Sequence, residues 1–159
     1  MPQKFKFTPK GYHTLTTAIA VKHAADAIKF YKKVLGAKIK ILMKGPDGSI
    51  VHSELQIGDS LFMLSDEMPA YNHSPQSLGA STVVLSVYVE NADKTIKKAV
   101  ANGSKLLIPP TDQFYGDRSG RIEDPFGHVW IISTHIEDVS DKEMQKRFKN
   151  WMKQSTAAN

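Results

Sequence analysis

The feature of this 159-residue chain that most constrains its fold is an internal repeat. Gly36 and Gly103, which each follow a helical pattern, lie 67 positions apart. The apolar runs Leu61–Ser65 and Val129–Ser133 lie 68 positions apart. Two offsets that agree to one residue indicate one structural unit that occurs twice along the chain.

The first copy has the pattern β-α-β-β-β. Apolar periodicity predicts a helix at 24–35 and strands at 14–21, 37–43, 50–57 and 60–65. Gly36 is the kind of residue that ends a helix, because it adopts the left-handed conformation without strain. Gly58 and Asp59 are expected to form a two-residue hairpin loop. Residues 67–80 are polar and rich in Pro and Ser, which predicts a linker.

The second copy repeats this order. A helix at 92–101, capped by Asn91, is predicted between strands at 82–89, 105–108, 118–123 and 128–135. Pro109-Pro110 is expected to end the second of these strands, and Asp124–Gly127 has the composition of a tight turn. The sequence therefore predicts an α+β chain, with modules at 12–66 and 81–135 joined by the linker.

A separate amphipathic helix is predicted at 140–153, after the second module. Ser140 and Glu143 have the spacing of a capping box. Its apolar stripe, expected to pack on its own domain or on a second subunit, consists of Met144, Phe148, Trp151 and Met152.

Composition narrows the classes of protein. The hydrophobic share of 41% and the charged share of 23% are ordinary for a single globular domain, and no apolar run approaches the roughly 20 residues of a membrane span. The absence of cysteine excludes disulfides and thiolate metal ligands and favours a cytoplasmic protein. The net charge of +5 comes from scattered lysines without a reading motif, so neither nucleic acid nor membrane is expected as a partner.

Specific motifs add a resemblance to a known family. The first helix (Ala27–Gly36) and the turn Asp124–His128, set in paired βαβββ units, resemble the vicinal oxygen chelate superfamily, which includes glyoxalase I, extradiol dioxygenases and bleomycin-resistance proteins. The chain is most similar to the PhnB-like branch through His52–Leu55, Gln113–Arg118 and Thr134–Val139. The resemblance implies paired half-barrels and a homodimer, often with exchanged units.

The resemblance also implies where metal-dependent members hold a divalent ion. The four ligand positions fall on Thr16, Glu54, Val84 and Ile131, and of these only Glu54 has a ligand-type side chain. Metals of this kind need three or four converging nitrogen or oxygen ligands, which Val and Ile cannot supply. We therefore predict no metal cofactor, although one carboxylate and one histidine could hold an ion weakly.

Strand alternation places the remaining candidates. His52 and Glu54 are predicted to share a face, either as an acid/base pair or as a mutually satisfied polar pair in a cavity. Ser86 and Tyr88 are expected to line the corresponding face of the second module, with Tyr88 as a wall or a donor.

Tyr115 and Arg118 are predicted ligand-binding residues at the entrance to the last hairpin. A guanidinium suits a carboxylate or phosphate, but Arg118 could instead form an internal pair with an aspartate that braces the loop.

Two functions follow as hypotheses. The first is a small-molecule-binding protein without a metal, like the bleomycin-resistance members. The second is a lyase or isomerase that uses Glu54 and His52 for proton transfer. The chain contains no phosphate-binding glycine loop, nucleophile elbow or HExxH motif that would favour another chemistry.

Overall fold

A computed structural model describes residues 6–157 of the chain and the side chains of residues 6–154. Its elements, in chain order, are β1 (Thr17–Val21), α1 (Ala24–Leu35), β2 (Lys38–Lys44), β3 (Ile50–Ile57), β4 (Ser60–Asp66), α2 (Pro75–Leu78), β5 (Val84–Tyr88), α3 (Ala92–Val100), β6 (Lys105–Asp112), β7 (Asp117–Glu123), β8 (Val129–His135) and α4 (Asp141–Ala157).

The predicted repeat and the α+β class are confirmed. Sheet 1 has the strand order β1-β4-β3-β2, and sheet 2 has the equivalent order β5-β8-β7-β6. In each sheet the first pair is parallel and the other two are antiparallel. Within the described residues, unit 1 comprises 6–82 with Pro125–Gly127, and unit 2 comprises 83–124 and 128–157.

The core of unit 1 lies between α1 and one face of sheet 1. Tyr31 is fully buried, and its ring meets Phe62 edge-on at 5.8 Å. Leu55 and Leu64 are buried on the same face. Asp66, at the end of β4, links the first residues of α1 and β3. Its two carboxylate oxygens accept hydrogen bonds from the backbone N–H groups of Ala24 and Ile50 at 2.8 and 2.7 Å.

The core of unit 2 lies between α3 and one face of sheet 2. Ile96 and Ala99 of α3 are buried with Ile122 and Ile132 of the sheet. Gly120 allows α3 to pack close to β7, since a Cβ at this position would lie 2.8 Å from the Ile96 side chain.

The turn predicted at 124–127 forms, and its middle residues pack within unit 1. The ring of Phe126 meets those of Phe30 and Tyr31 at 6.0 and 6.3 Å. Gly127 has a φ of 87°, which the turn requires of a glycine. Asp124, in unit 2, accepts hydrogen bonds from its own turn at His128 N and from the Trp130 indole at 2.8 Å.

Helix α4 forms as predicted and continues to Ala157. The Ser140 hydroxyl accepts from Glu143 N at 3.4 Å, but the Glu143 side chain pairs with Arg147, so only half of the capping box forms. Phe148 and Trp151 pack against Phe114 of the loop before β7, with ring centroids 5.6 and 5.8 Å apart.

Three of the differences between the predicted and observed elements have a local structural cause. β6 does not end at Pro109-Pro110 but runs to Asp112. It is an edge strand with register shifts at Ile108, where the missing proline N–H groups cost little. β1 begins at Thr17, because Thr16 turns back to donate to the His13 carbonyl. The linker contains a short helix, α2, in which Pro75 follows the capping residue Ser74.

No helix among residues 6–157 combines the length and apolarity needed to cross a lipid bilayer.

Candidate functional site

The open face of sheet 1 is the face that α1 does not cover. Strand alternation turns Ser53 and Leu55 toward α1, so His52 and Glu54 of β3 lie on the open face. Across the sheet, Glu54 pairs with Met63 of β4 on one side and with Ile41 of β2 on the other, so these three residues share the open face. The prediction that His52 and Glu54 share a face agrees with this arrangement.

A cavity of about 850 Å³ lies over this face within unit 1. Ile41, Glu54 and Met63 form its floor. Its wall is the N-terminal segment, residues 7–16, which contributes residues 7–10, 12–14 and Thr16. The segment is held by a turn in which Tyr12 N donates to the Pro9 carbonyl at 3.1 Å. A volume of this size accommodates a drug-sized molecule.

Glu54 is the one acidic residue among the described residues that line this cavity. Its side chain is 13% exposed, and its Oε1 lies 3.4 Å from His52 Nε2. Tyr12 lines the same cavity as this carboxylate. Hydrogen bonding to Glu54, followed by burial and the negative charge of Glu54, raises the pKa of Tyr12 above its ordinary value of 10.0.

This arrangement supports two kinds of chemistry. A carboxylate at the floor of a partly apolar cavity attracts a cation or a hydrogen-bond donor. A carboxylate beside an imidazole can also accept a proton and pass it on. Because its pKa is raised, the Tyr12 phenol stays neutral at physiological pH and can serve as a hydrogen-bond donor but not as a base.

The open face of sheet 2 is the face that α3 does not cover. Thr134 accepts a hydrogen bond from Ala92 N of α3, so Ser133 and His135 lie on the opposite, open face. Ser86 and Tyr88 pair with Ile131 and Ser133 and share that face, as predicted.

Asp117 is the centre of a hydrogen-bonded cluster on this face. Its side chain is 6% exposed; its Oδ2 accepts from the Tyr88 hydroxyl at 2.7 Å, and its Oδ1 lies 2.8 Å from His135 Nδ1. His135 Nε2 reaches Asp138 at 3.0 Å. Tyr115 lies next to this cluster, because its hydroxyl is 3.5 Å from that of Ser119, which follows Asp117 by two residues on β7.

The charge of Asp117 acts on both of its partners. The hydrogen bond to Asp117, then burial, raises the pKa of Tyr88. The hydrogen bond to Asp117, reinforced by the one to Asp138, raises the pKa of His135 above 6.5 and favours the imidazolium.

Arg118 lies on the other face of sheet 2, directed toward α3. Its Nε and Nη2 bind both carboxylate oxygens of Asp93 at 2.5 and 2.8 Å, and its Nη1 binds Asp112 at 2.8 Å. These two carboxylates raise the pKa of Arg118 further above its ordinary value. The guanidinium fork is therefore occupied, by Asp93 and Asp112 rather than by the neighbouring Asp117.

The structure thus groups the predicted residues by unit and by face. Glu54 and His52 meet in unit 1, and Ser86, Tyr88 and Tyr115 share the open face of unit 2, from which Arg118 is separated by the sheet.

Sequence reasoning missed Tyr12, whose only cue is a phenol between a glycine and a histidine before β1. It also missed the Asp117–His135 pair, for which the cue is register: the two residues are opposite each other in the hairpin.

The residues at the four family metal positions do not fit a metal ion. Val84 and Ile131 have no donor atom, and the Thr16 hydroxyl donates to the backbone of His13. Among residues 6–154, no three His, Cys, Asp or Glu side chains are grouped so that they could hold one. Glu54 is thus left as a single carboxylate, with too few converging ligands for the metal site of the family.

Comparisons with known proteins identify the family of this chain. The sequence model of the Glyoxalase/Bleomycin resistance protein/Dioxygenase superfamily matches residues 13–132. A protein of Mycobacterium bovis, described only as uncharacterised, is 33% identical over 135 residues, which cover 82% of this chain and 89% of that protein. Protein YjdN of Escherichia coli is 29% identical over 131 residues, covering 70% and 87%.

Solved structures show the same fold. A gene product of Arabidopsis thaliana superposes with a TM-score of 0.62 at 25% identity, over 77% of this chain and 98% of that one. The PhnB protein of Bacillus cereus superposes with a TM-score of 0.60 at 18% identity, over 77% and 99%.

Proposed function

The chain belongs to the glyoxalase/bleomycin resistance protein/dioxygenase superfamily, and we propose that it is a small-molecule-binding protein of the PhnB type that works without the family metal. The observation that carries this proposal is the cavity of about 850 Å³ on the open face of sheet 1, with Glu54 at its floor.

The lining favours one class of ligand. Phe7, Pro9, Ile41 and Met63 offer apolar surface, which suits an aromatic or aliphatic body. Glu54 offers a carboxylate, which suits an ammonium, a guanidinium or another strong donor. We therefore infer a cationic molecule with an apolar body. Lys10 and His13 also line the cavity and could contact polar substituents of such a molecule.

A matched pair of probes tests the ligand class. Phenethylamine and phenylacetate have similar apolar bodies and opposite charges, so calorimetric titration with both separates the effect of charge from that of shape. We expect the amine to bind more tightly. Glu54→Gln should weaken its binding about tenfold or more, because it removes the charge-assisted hydrogen bond.

Glu90→Gln is the control, since it makes the same chemical change at an exposed position in unit 2. Its affinity for the amine should equal that of the wild type. Equal losses in the two variants, or tighter binding of phenylacetate, would contradict the cationic ligand.

The distance of 3.4 Å between His52 Nε2 and Glu54 Oε1 also supports a second function. As a lyase or isomerase, the protein would use Glu54 as the base that removes a proton and His52 as the group that exchanges it with solvent. His52→Gln should then change the pH dependence of turnover while leaving ligand affinity nearly unchanged. For a binding protein, Glu54→Gln changes affinity alone.

The homodimer suggested by the family resemblance also belongs to this proposal. A sedimentation measurement at micromolar concentration should give twice the chain mass of 17.7 kDa. A mass of one chain would contradict it.

A further inference from the structure

Arg121 occupies the position in unit 2 that Glu54 occupies in unit 1. The two residues are 67 positions apart, which is the offset of the repeat. Glu54 pairs with Ile41 and Met63 on the neighbouring strands, and Arg121 pairs with Ile108 and Ile131 in the same way. Arg121 therefore lies in the middle of the open face of sheet 2.

The guanidinium of Arg121 has no ion pair or hydrogen bond with any residue that the structure describes. Arg118 and Arg147 differ from it, because each binds two carboxylates. The acidic residues beside Arg121 are already engaged: Glu123 pairs with Lys105 at 2.6 Å, and Asp117 is held by its tyrosine and histidine partners. An exposed Arg121 thus leaves five N–H donors without an acceptor in this part of the chain.

A second unused donor lies close to Arg121. Ser133 is 3% exposed, and its hydroxyl has no hydrogen-bond partner among the described residues. Ser133 pairs with Ser119, and Arg121 is two residues along the same strand, so the two side chains are diagonal neighbours on one face. Diagonal neighbours are about 7–8 Å apart at Cα, which the long arginine side chain spans. A serine hydroxyl and a guanidinium that are diagonal neighbours on one face, neither with a partner among the described residues, indicate a site for an oxyanion.

Apolar surface flanks these donors. Ile108 is 43% exposed and Tyr88 is 63% exposed, and both belong to the open face together with Ile131. The phenol of Tyr88 donates to Asp117, so its ring is fixed in place.

We propose that the open face of sheet 2 is a binding site for an anionic molecule, with Arg121 and Ser133 holding a carboxylate or phosphate group and Ile108, Ile131 and Tyr88 contacting its apolar body. This site goes beyond the proposed cation cavity, because it lies in the other unit and uses none of the same residues.

The test is calorimetric titration of the full chain with benzoate, phenyl phosphate and inorganic phosphate. Benzoate and phenyl phosphate separate a carboxylate ligand from a phosphate ligand, and inorganic phosphate measures the contribution of the apolar body. We expect at least one of the two aromatic anions to bind, and inorganic phosphate to bind more weakly than phenyl phosphate.

Arg121→Gln should weaken the binding of the aromatic anion about tenfold or more, and Ser133→Ala about threefold. Lys97→Gln is the matched control, because it removes the same charge from an exposed position on α3 and should leave binding unchanged. Arg121→Lys, which keeps the charge but not the fork, should give an intermediate affinity.

Thermal melting of each variant checks that it folds; Arg121 is exposed and unpaired, so the melting temperature should not change. The proposal is overturned if neither aromatic anion binds, or if Arg121→Gln and Lys97→Gln have the same effect. Glu54→Gln should leave anion binding unchanged, so this site and the cation cavity can fail separately.

Discussion

His52 Nε2 lies 3.4 Å from Oε1 of Glu54 on the face of sheet 1 that is opposite α1. The two residues are adjacent on that face because strand alternation separates them by one full period. The imidazole and Tyr12, which also lines the cavity, are polar neighbours of the carboxylate at the cavity floor. Glu54 is therefore an acidic group with polar neighbours in a partly apolar site.

The Tyr12 hydroxyl should ionise only at a pH above 10, because Glu54 hydrogen-bonds to the neutral phenol and repels the phenolate. Glu54→Gln removes the negative charge and should lower the pKa of Tyr12. The measurement is a ¹³C NMR titration of tyrosines labelled at Cζ, with Tyr12→Phe identifying the signal. A Tyr12 that titrates at 10 or below in the wild type would show that the two groups are not in contact.

His135 should titrate above its ordinary value of 6.5, and its protonation should stabilise the fold. Because the pKa is raised on folding, the stabilisation is fully present below the unfolded pKa of about 6.5 and is lost as the pH rises through the folded value. Histidine NMR titrations and urea unfolding at several pH values measure both effects. Asp117→Asn should move the pKa back toward 6.5 and flatten this dependence. An unchanged His135 pKa in that variant would contradict the assigned partner.

Gly116→Ala should destabilise unit 2 by about 3 kcal/mol. Gly116 has a φ of 97°, and a Cβ there would lie 2.1 Å from the Glu137 carbonyl oxygen. The same glycine accepts backbone hydrogen bonds from Ile136 and Glu137, so its displacement would also disturb the start of the chain toward α4.

The control for this substitution is Gly48→Ala. Gly48 has a φ of 84° but open space around its Cβ position, so its cost should be about 1 kcal/mol, from backbone strain alone. Urea unfolding of both variants gives the comparison. Equal losses would indicate that the close approach to Glu137 does not limit the fold.

Arg118→Gln should lower the melting temperature without changing the affinity of either probe class. Its guanidinium is bound by Asp93 of α3 and Asp112 of β6, on the face of sheet 2 away from Arg121. Asp93→Asn should have a similar effect on melting, since it breaks the bidentate pair from the other side. A loss of anion affinity in Arg118→Gln, with melting unchanged, would instead support the ligand role predicted from the sequence.

Much of the fold could be predicted from the sequence because the repeat constrains it twice. Each strand that is ambiguous in one copy has a counterpart in the other, and alternation then assigns His52, Glu54, Ser86 and Tyr88 to their faces. The errors occurred where the effect of a residue depends on the position of its strand in the sheet. Pro109-Pro110 would end a central strand, but β6 is at an edge, and the sheet order is not visible in the sequence.

The site was less predictable, because its partners are distant along the chain. The contact between Tyr12 and Glu54 joins an irregular segment to a strand 42 positions later, and no periodicity reports it. The partners of Arg118 are on α3 and β6, so composition near the hairpin could not distinguish a free guanidinium from a paired one. Arg121, with the same side chain three positions later, is the free one.

The binding of a small molecule on the open face of sheet 1, at Glu54, is the central proposal. Methyl NMR spectra of the protein titrated with phenethylamine test it most directly, because they report position as well as affinity. We predict that the methyl signals of Ile41 and Met63 shift with saturation, that those of Ile108 and Ile131 do not, and that Glu54→Gln removes the shifts. Shifts confined to Ile108 and Ile131, or shifts that persist in Glu54→Gln, would contradict it.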